Sequence, residues 1–217
     1  MYNFLHSKSV ALVGPAASLK GQGRGAYIDS FDYVVRLNYA KIDNTTDSGS
    51  RTDMIYYDGS FHDYSVCSPK ILVCSYPETE WFFNSRCKSN IEKFKKIYEH
   101  YIVDAKTYNS LKFSLDSNYK IRPNSGTVAI VDLLQSNLSK LYITGIDFYR
   151  TSYLNDHPDY GDKTLHEIKN IFSKGDSGDY HDTEAQFEYF KRFIIKDDRI
   201  ELDEFLTKHI NMENDKC

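Results

Sequence analysis

Three kinds of residue in this 217-residue chain could do chemistry. The first is histidine, the side chain that takes or gives a proton near neutral pH, present as His6, His62, His100, His157, His166, His181 and His209. A lone histidine is usually an ordinary surface or core residue. Two stand among acidic and polar neighbours: His157 in Asn155-Asp-His-Pro-Asp159 and His181 in Asp179-Tyr-His-Asp-Thr-Glu184. The second is Arg122-Pro-Asn-Ser-Gly-Thr127 ahead of an apolar run. A Ser-Gly pair opening a helix offers a hydroxyl and free backbone N–H groups to an anion, although Ser125 read alone fits a plain helix cap equally well. The third is glycine: Gly14 ends an apolar run, and Gly21, Gly23 and Gly25 follow. These three do not spell G-x-G-x-x-G and start too late after the run for a dinucleotide fingerprint; a flexible loop is the even alternative. Metal chemistry finds no support, since there is no Asp-x-Asp triplet and Cys67, Cys74, Cys87 and Cys217 match no zinc spacing.

The elements that must position these residues follow from periodicity. Ser9–Val13, Tyr33–Asn38, Met54–Tyr57, Ile71–Cys74 and Leu141–Gly145 are short apolar runs that read as buried strands. Residues 78–101 carry helical spacing, with Ile91, Phe94, Ile97 and Tyr98 on one face. Residues 124–134 read as a helix capped by Asn124 or Ser125, and 183–195 as another with Phe187, Phe190 and Ile194 apolar. Residues 147–178 are polar and rich in Gly, Asp and Ser, which suits a long functional loop with some helix inside. Strands alternating with helices predict one α/β domain over residues 1–217, a doubly wound, mostly parallel sheet with helices on both faces. Ligands in such sheets sit beyond the carboxyl ends of the strands, where the polar residues singled out above fall.

Composition is that of a globular protein: 41% hydrophobic and 27% charged, with 18 tyrosines suited to pockets with apolar walls and hydrogen-bonding tips. A net charge of −4 argues against a nucleic-acid partner. No apolar run reaches the ~20 residues of a membrane span, residues 1–9 lack a signal-peptide core, and the cysteines are too sparse for a disulfide scaffold. The expected setting is the cytoplasm.

Taken together, Val10–Gly25, Ile28–Ala40 and Gly49–Asp53 resemble the large donor-binding motif of the eukaryotic-type sialyltransferases, including Ile-Asp-Ser-x-Asp and Arg-x-Asn. Arg122–Thr127 with Leu141-Tyr-Ile-Thr-Gly-Ile-Asp-Phe-Tyr149 is similar to the small sialyl motif, and the Gly-Ile-Asp-Phe-Tyr ending is also similar to the Campylobacter-type bacterial enzymes. The resemblance implies a Rossmann-like, GT-A-type fold and a pocket for a cytidine nucleotide built from residues 9–58 and 122–153. It implies donor contacts from Gly14, Pro15, Ser18, Asn38, Asp58, Arg122, Asn124, Ser125, Gly126 and Thr127. Tyr149 and Tyr153 match the two tyrosines that hydrogen-bond the departing phosphate, the second after a two-residue deletion. His181 matches the late histidine that acts as general base, and His157 an earlier one at the leaving phosphate, with His166 as its competitor. The acceptor and lid region would fall at about 147–180 and C-terminal helices at 181–210.

The chain departs from that pattern in places. Pro15 stands where a donor-binding asparagine is usual; it has neither an N–H nor a side-chain amide. Gln186 takes the place of the glutamate five residues after the base, and the motif-linking disulfide has no cysteines, its positions being about Val10 and Leu138. The implied enzyme is a short bacterial or viral form. It would be inverting and would take sialic acid or a related keto-sugar acid such as Kdo from a CMP-activated co-substrate to a glycan or glycolipid hydroxyl, with no cofactor and no metal. Peripheral membrane association and oligomeric state stay open. A non-catalytic nucleotide- or glycan-binding relative is the alternative; an NAD oxidoreductase is disfavoured by the misplaced glycines and the missing early acidic partner.

Overall fold

In the computed structural model of the chain, residues 2–38, 42, 44–60, 62–80, 85–154, 161–173 and 181–214 are described. Seven strands form one sheet: β1 Ser9–Val13, β2 Tyr33–Leu37, β3 Met54–Tyr57, β4 Ile71–Cys74, β5 Glu99–Ile102, β6 Lys140–Thr144 and β7 Ile200–Leu202. Their order is β5-β4-β3-β2-β1-β6-β7 and every neighbouring pair is parallel. The order reverses between β1 and β6, which opens a crevice at their carboxyl ends.

The helices are α1 Gly25–Asp29, α2 Thr45–Ser48, α3 Ser85–Phe94, α4 Ala105–Leu115, α5 Ser125–Leu134, α6 Leu165–Ser173, α7 Thr183–Tyr189 and α8 Glu204–Asn214, with a π turn at Phe190–Ile194. Alternation along the strands shows both faces covered. Val10 and Leu12 of β1 and Met54 and Tyr56 of β3 pack with Val128, Ala129 and Leu133 of α5. Ala11 and Val13 turn the other way onto Ile28 of α1, and Ile55 and Tyr57 onto Ile91 and Phe94 of α3. Burial on two sides is why these strands read as unbroken apolar runs.

The helix expected over 78–101 is much shorter. Residues 81–84 lie outside the described part, α3 ends at Phe94, and Glu99–Ile102 is the edge strand β5 on β4. Ile91 and Phe94 hold the helix to the sheet, whereas Ile97 is exposed and lies in the turn that follows, so the continued 3.6-residue spacing there is coincidental. Helix α4, capped by Asp104 on the Thr107 amide, and strand β7 are additions to the expected elements.

Candidate active site

Three strand ends converge on a cleft of about 530 Å³, open mouth included. Pro15 and Ala16 come from the end of β1, Leu37 and Asn38 from β2, and Gly145 through Phe148, Tyr149, Thr151, Ser152 and Tyr153 from β6; Asn124, Ser125 and Gly126 of the α5 N-terminus complete the wall. Thus Pro15, Asn38, Asn124, Ser125, Gly126, Tyr149 and Tyr153 of the expected set meet here.

Close backbone approach makes the floor. A Cβ on Gly14 would stand 2.1 Å from the Gly145 carbonyl oxygen, and one on Gly145, where φ is +64°, 2.6 Å from that of Gly14. Gly14 lies behind the lining; its role is to let β1 and β6 touch. The loop after β6 is then sewn to the loop after β1. The Ala16 amide donates to the Gly145 carbonyl at 3.0 Å, that of Ala17 to Ser152 at 2.8 Å, and that of Leu154 to Pro15 at 2.8 Å. Asp147, buried, accepts from the Arg150 and Thr151 amides and from the Thr151 hydroxyl, and that hydroxyl in turn accepts from the Ser18 amide at 3.1 Å. Burial raises the Asp147 pKa. Ser18 therefore supports the loop and does not line the cleft. This bracing holds Phe148 and Tyr149 at φ of 52° and 61°, a backbone region that costs non-glycine residues energy and recurs at functional sites. The Tyr149 and Tyr153 hydroxyls end 3.5 Å apart.

Asn38, also at positive φ (51°), donates its amide to the Tyr56 carbonyl, while its side-chain Oδ1 is buried with no partner among the described residues. Asn38 is one of the residues lining the cleft. Across from it, Asn124 caps α5 through Thr127 N at 2.8 Å, leaving Ser125 at the first helical position. Thr127 stands behind the wall, its hydroxyl donating to Gln186 at 2.9 Å. Asp58, at the end of β3, accepts from the Ser60 amide and does not reach the lining.

His181 sits behind the α5 entrance, 8% exposed. Its Nδ1 is 2.7 Å from the Arg122 carbonyl, which can only accept, so Nδ1 carries the proton and Nε2 bears the lone pair. Arg122 Nη2 donates to that Nε2 at 3.2 Å. Burial first, and the Arg122 charge second, push the imidazole pKa down to about 4, so the ring is neutral at physiological pH. Arg122 also lies over the Tyr76 ring at 5.9 Å. Tyr76 is buried, its hydroxyl hydrogen-bonded to Ser125; burial raises its pKa. The reading from residue types missed it, though its place directly after β4 was signal enough. His157 lies outside the described residues. His166, on α6, bonds Asn170 at 2.9 Å.

The glycine stretch does other work. Gly21 and Gly23, at positive φ, donate their amides to the two oxygens of Asp47 at 2.9 Å each, and a Cβ on Gly25 would lie 1.8 Å from the Thr45 carbonyl. These glycines bind the protein's own carboxylate and seat α1 on α2. The neighbouring motif residues brace too: Asp29 accepts from the Ser50 and Arg51 amides, and Arg51 donates to the Asp29 and Phe31 carbonyls. Among the described residues no three His, Cys, Asp or Glu cluster as metal ligands, and no helix is long and apolar enough to cross a membrane.

The family model for glycosyltransferase family 29 (sialyltransferase) matches residues 4–70. A mammalian sialyltransferase crystallised with Gal-beta-1-3GalNAc-ortho-nitrophenol aligns at a TM-score of 0.59 and 14% identity, over 91% of this chain and 70% of that one. The sialyltransferase CstII from Campylobacter jejuni, in complex with cytidine-5'-monophosphate, aligns at 0.56 and 16% identity, over 91% and 79%. The monofunctional alpha-2,3-sialyltransferase Cst-I from the same organism aligns at 0.59 and 18%, over 93% and 79%. A comparison with curated proteins finds no match. In sequence over residues 4–70 and in fold over nine-tenths of its length, this chain is similar to sialyltransferases.

Proposed function

We propose that the chain is an inverting glycosyltransferase that moves sialic acid or a related keto-sugar acid such as Kdo from a CMP donor to a glycan or glycolipid hydroxyl. The observation that carries this reading is the cleft at the sheet's reversal point, where Ser125 at the α5 N-terminus shares the lining with Tyr149 and Tyr153. Helix N-termini and hydroxyls favour a phosphate, and the buried Asn38 Oδ1 suits an N–H or O–H of the nucleoside.

The bond from the sugar's anomeric carbon to the phosphate oxygen breaks through an oxocarbenium-like state. Ser125, Tyr149 and Tyr153 donate to the leaving phosphate, so the reaction needs no metal. The acceptor hydroxyl attacks the opposite face and passes its proton to His181 Nε2. An anionic donor that draws Arg122 toward itself weakens the second cause of the low resting value, the Arg122 charge, and so raises the imidazole's basicity. General-base help of this kind contributes ~10²–10⁴-fold.

Calorimetric titration with CMP, CDP and NAD, followed by assay of CMP release from CMP-Neu5Ac and CMP-Kdo, tests this. CMP binding and acceptor-dependent turnover are expected; binding of NAD in preference to CMP would overturn it. A second reading, a non-catalytic nucleotide- or glycan-binding relative, draws on the Arg122 guanidinium at His181 Nε2, the atom the base would use. CMP binding without turnover on either sugar and any acceptor would favour it.

A further inference from the structure

Gln186, the fourth residue of α7, is fully buried. Its Oε1 accepts twice, from the Asn124 amide and from the Thr127 hydroxyl, both at 2.9 Å, and its Nε2 donates to the Asp182 carbonyl at 3.2 Å. Asn124 and Asp182 are the caps of α5 and α7. One amide therefore ties together the starts of two helices, one lining the donor cleft and the other following His181 directly. The Nδ1 bond from His181 to the Arg122 carbonyl runs beside it as a second tie between the same two segments.

We propose that Gln186 is a positioning residue: its neutral amide clamps the starts of α5 and α7 and so fixes the His181 imidazole beside the α5 N-terminus. The inference rests on the transferase reading and adds to it how the base is held. A neutral amide satisfies all three bonds here, two accepted and one donated; a carboxyl group does so only when protonated. A carboxylate would keep the accepted pair, face the Asp182 carbonyl oxygen with another oxygen, and bring a negative charge to a dry place. The charges around it are otherwise committed. Arg122 faces His181; Asp182 accepts from the Ala185 amide; Glu184 is paired with Arg150; Lys112 of α4 is paired with Glu80.

The test is the titration of the His181 ring by NMR in the ligand-free protein, assigned with His181→Gln, in wild type and Gln186→Met. Wild-type His181 should stay neutral down to about pH 4. In Gln186→Met, which makes none of the three bonds, the imidazole is less tightly enclosed and its midpoint should rise by about one unit or more toward the ordinary 6.5. A folded Gln186→Met protein whose His181 midpoint stays within about 0.3 unit of wild type overturns the proposal. Should that variant fail to fold, Thr127→Val, which removes one of the three bonds, decides: a midpoint raised by more than about 0.3 unit supports the clamp, and an unchanged midpoint overturns it. The ring titration requires no turnover. A shifted His181 in a protein that transfers no sugar would refute the transferase reading and leave the clamp standing.

Discussion

His181 holds its proton on Nδ1 because a carbonyl oxygen lies 2.7 Å away, and burial keeps the second nitrogen bare. Two expectations follow at this scale. His181→Ala should abolish transfer while CMP affinity stays within a few-fold of wild type, because the imidazole serves the acceptor hydroxyl and is not among the residues lining the donor cleft; transfer at a comparable rate would assign the base elsewhere. The second concerns stability. The folded-state pKa of about 4 lies below the ordinary 6.5, so between those values the unfolded chain binds a proton that the folded chain refuses. The contribution is complete above pH 6.5 and is lost as pH falls toward 4. Urea unfolding of His181→Gln should therefore show a loss between pH 6.5 and 4.5 smaller than wild type by about 1–3 kcal/mol. His100, pushed down to about 4 by burial, adds the same dependence to both proteins, and Asp132 and Asp147, raised by burial, oppose it in both. Equal losses in the two proteins would mean that His181 is not buried neutral.

At the scale of elements, the loop from Asp147 to Leu154 is what turns a strand end into a binding wall. Asp147→Ala removes the acceptor of three bonds that hold Tyr149 at positive φ. CMP affinity should drop about tenfold, with modest change in the unfolding midpoint; unchanged affinity would show that Tyr149 is placed by other contacts. Gly14→Ala tests the floor. A methyl 2.1 Å from a backbone oxygen forces β1 and β6 apart, at a cost of about 3 kcal/mol by urea titration; a cost below about 1 kcal/mol would contradict the close approach. Some of this was legible in the chain of residues. Strands β1, β2, β3, β4 and β6 announce themselves because burial on both faces makes continuous apolar runs, and Asn124 announces α5 because capping chemistry is local. Strand β5 was hidden, since Glu-His-Tyr-Ile on an edge has no apolar continuity and follows a helix whose spacing runs on past its end. Three-residue β7 is too short to carry a period. Gly21 and Gly23 looked like a ligand loop because the carboxylate that occupies their amides, Asp47, lies far along the chain.

For the whole molecule, strand order decides where function sits. Reversal between β1 and β6 gathers residues as distant as Pro15, Asn38, Ser125 and Tyr149 at one edge of the sheet. The roles proposed for them come from a family likeness spread over the same segments, not from residue type, since Asn38 and Tyr149 carry no chemical signal alone. Tyr76 and Gln186 escaped as site residues because their importance lies in what they touch, Ser125 and Asn124, across the fold. The account's central claim is that this cleft holds a CMP moiety, and a crystal structure with bound CMP tests it most directly. The account predicts the phosphate within hydrogen-bonding distance of Ser125 and of the Tyr149 or Tyr153 hydroxyl, with the nucleoside against Asn38. Nucleotide bound at another surface, or a cleft that stays empty at saturating CMP, would contradict it.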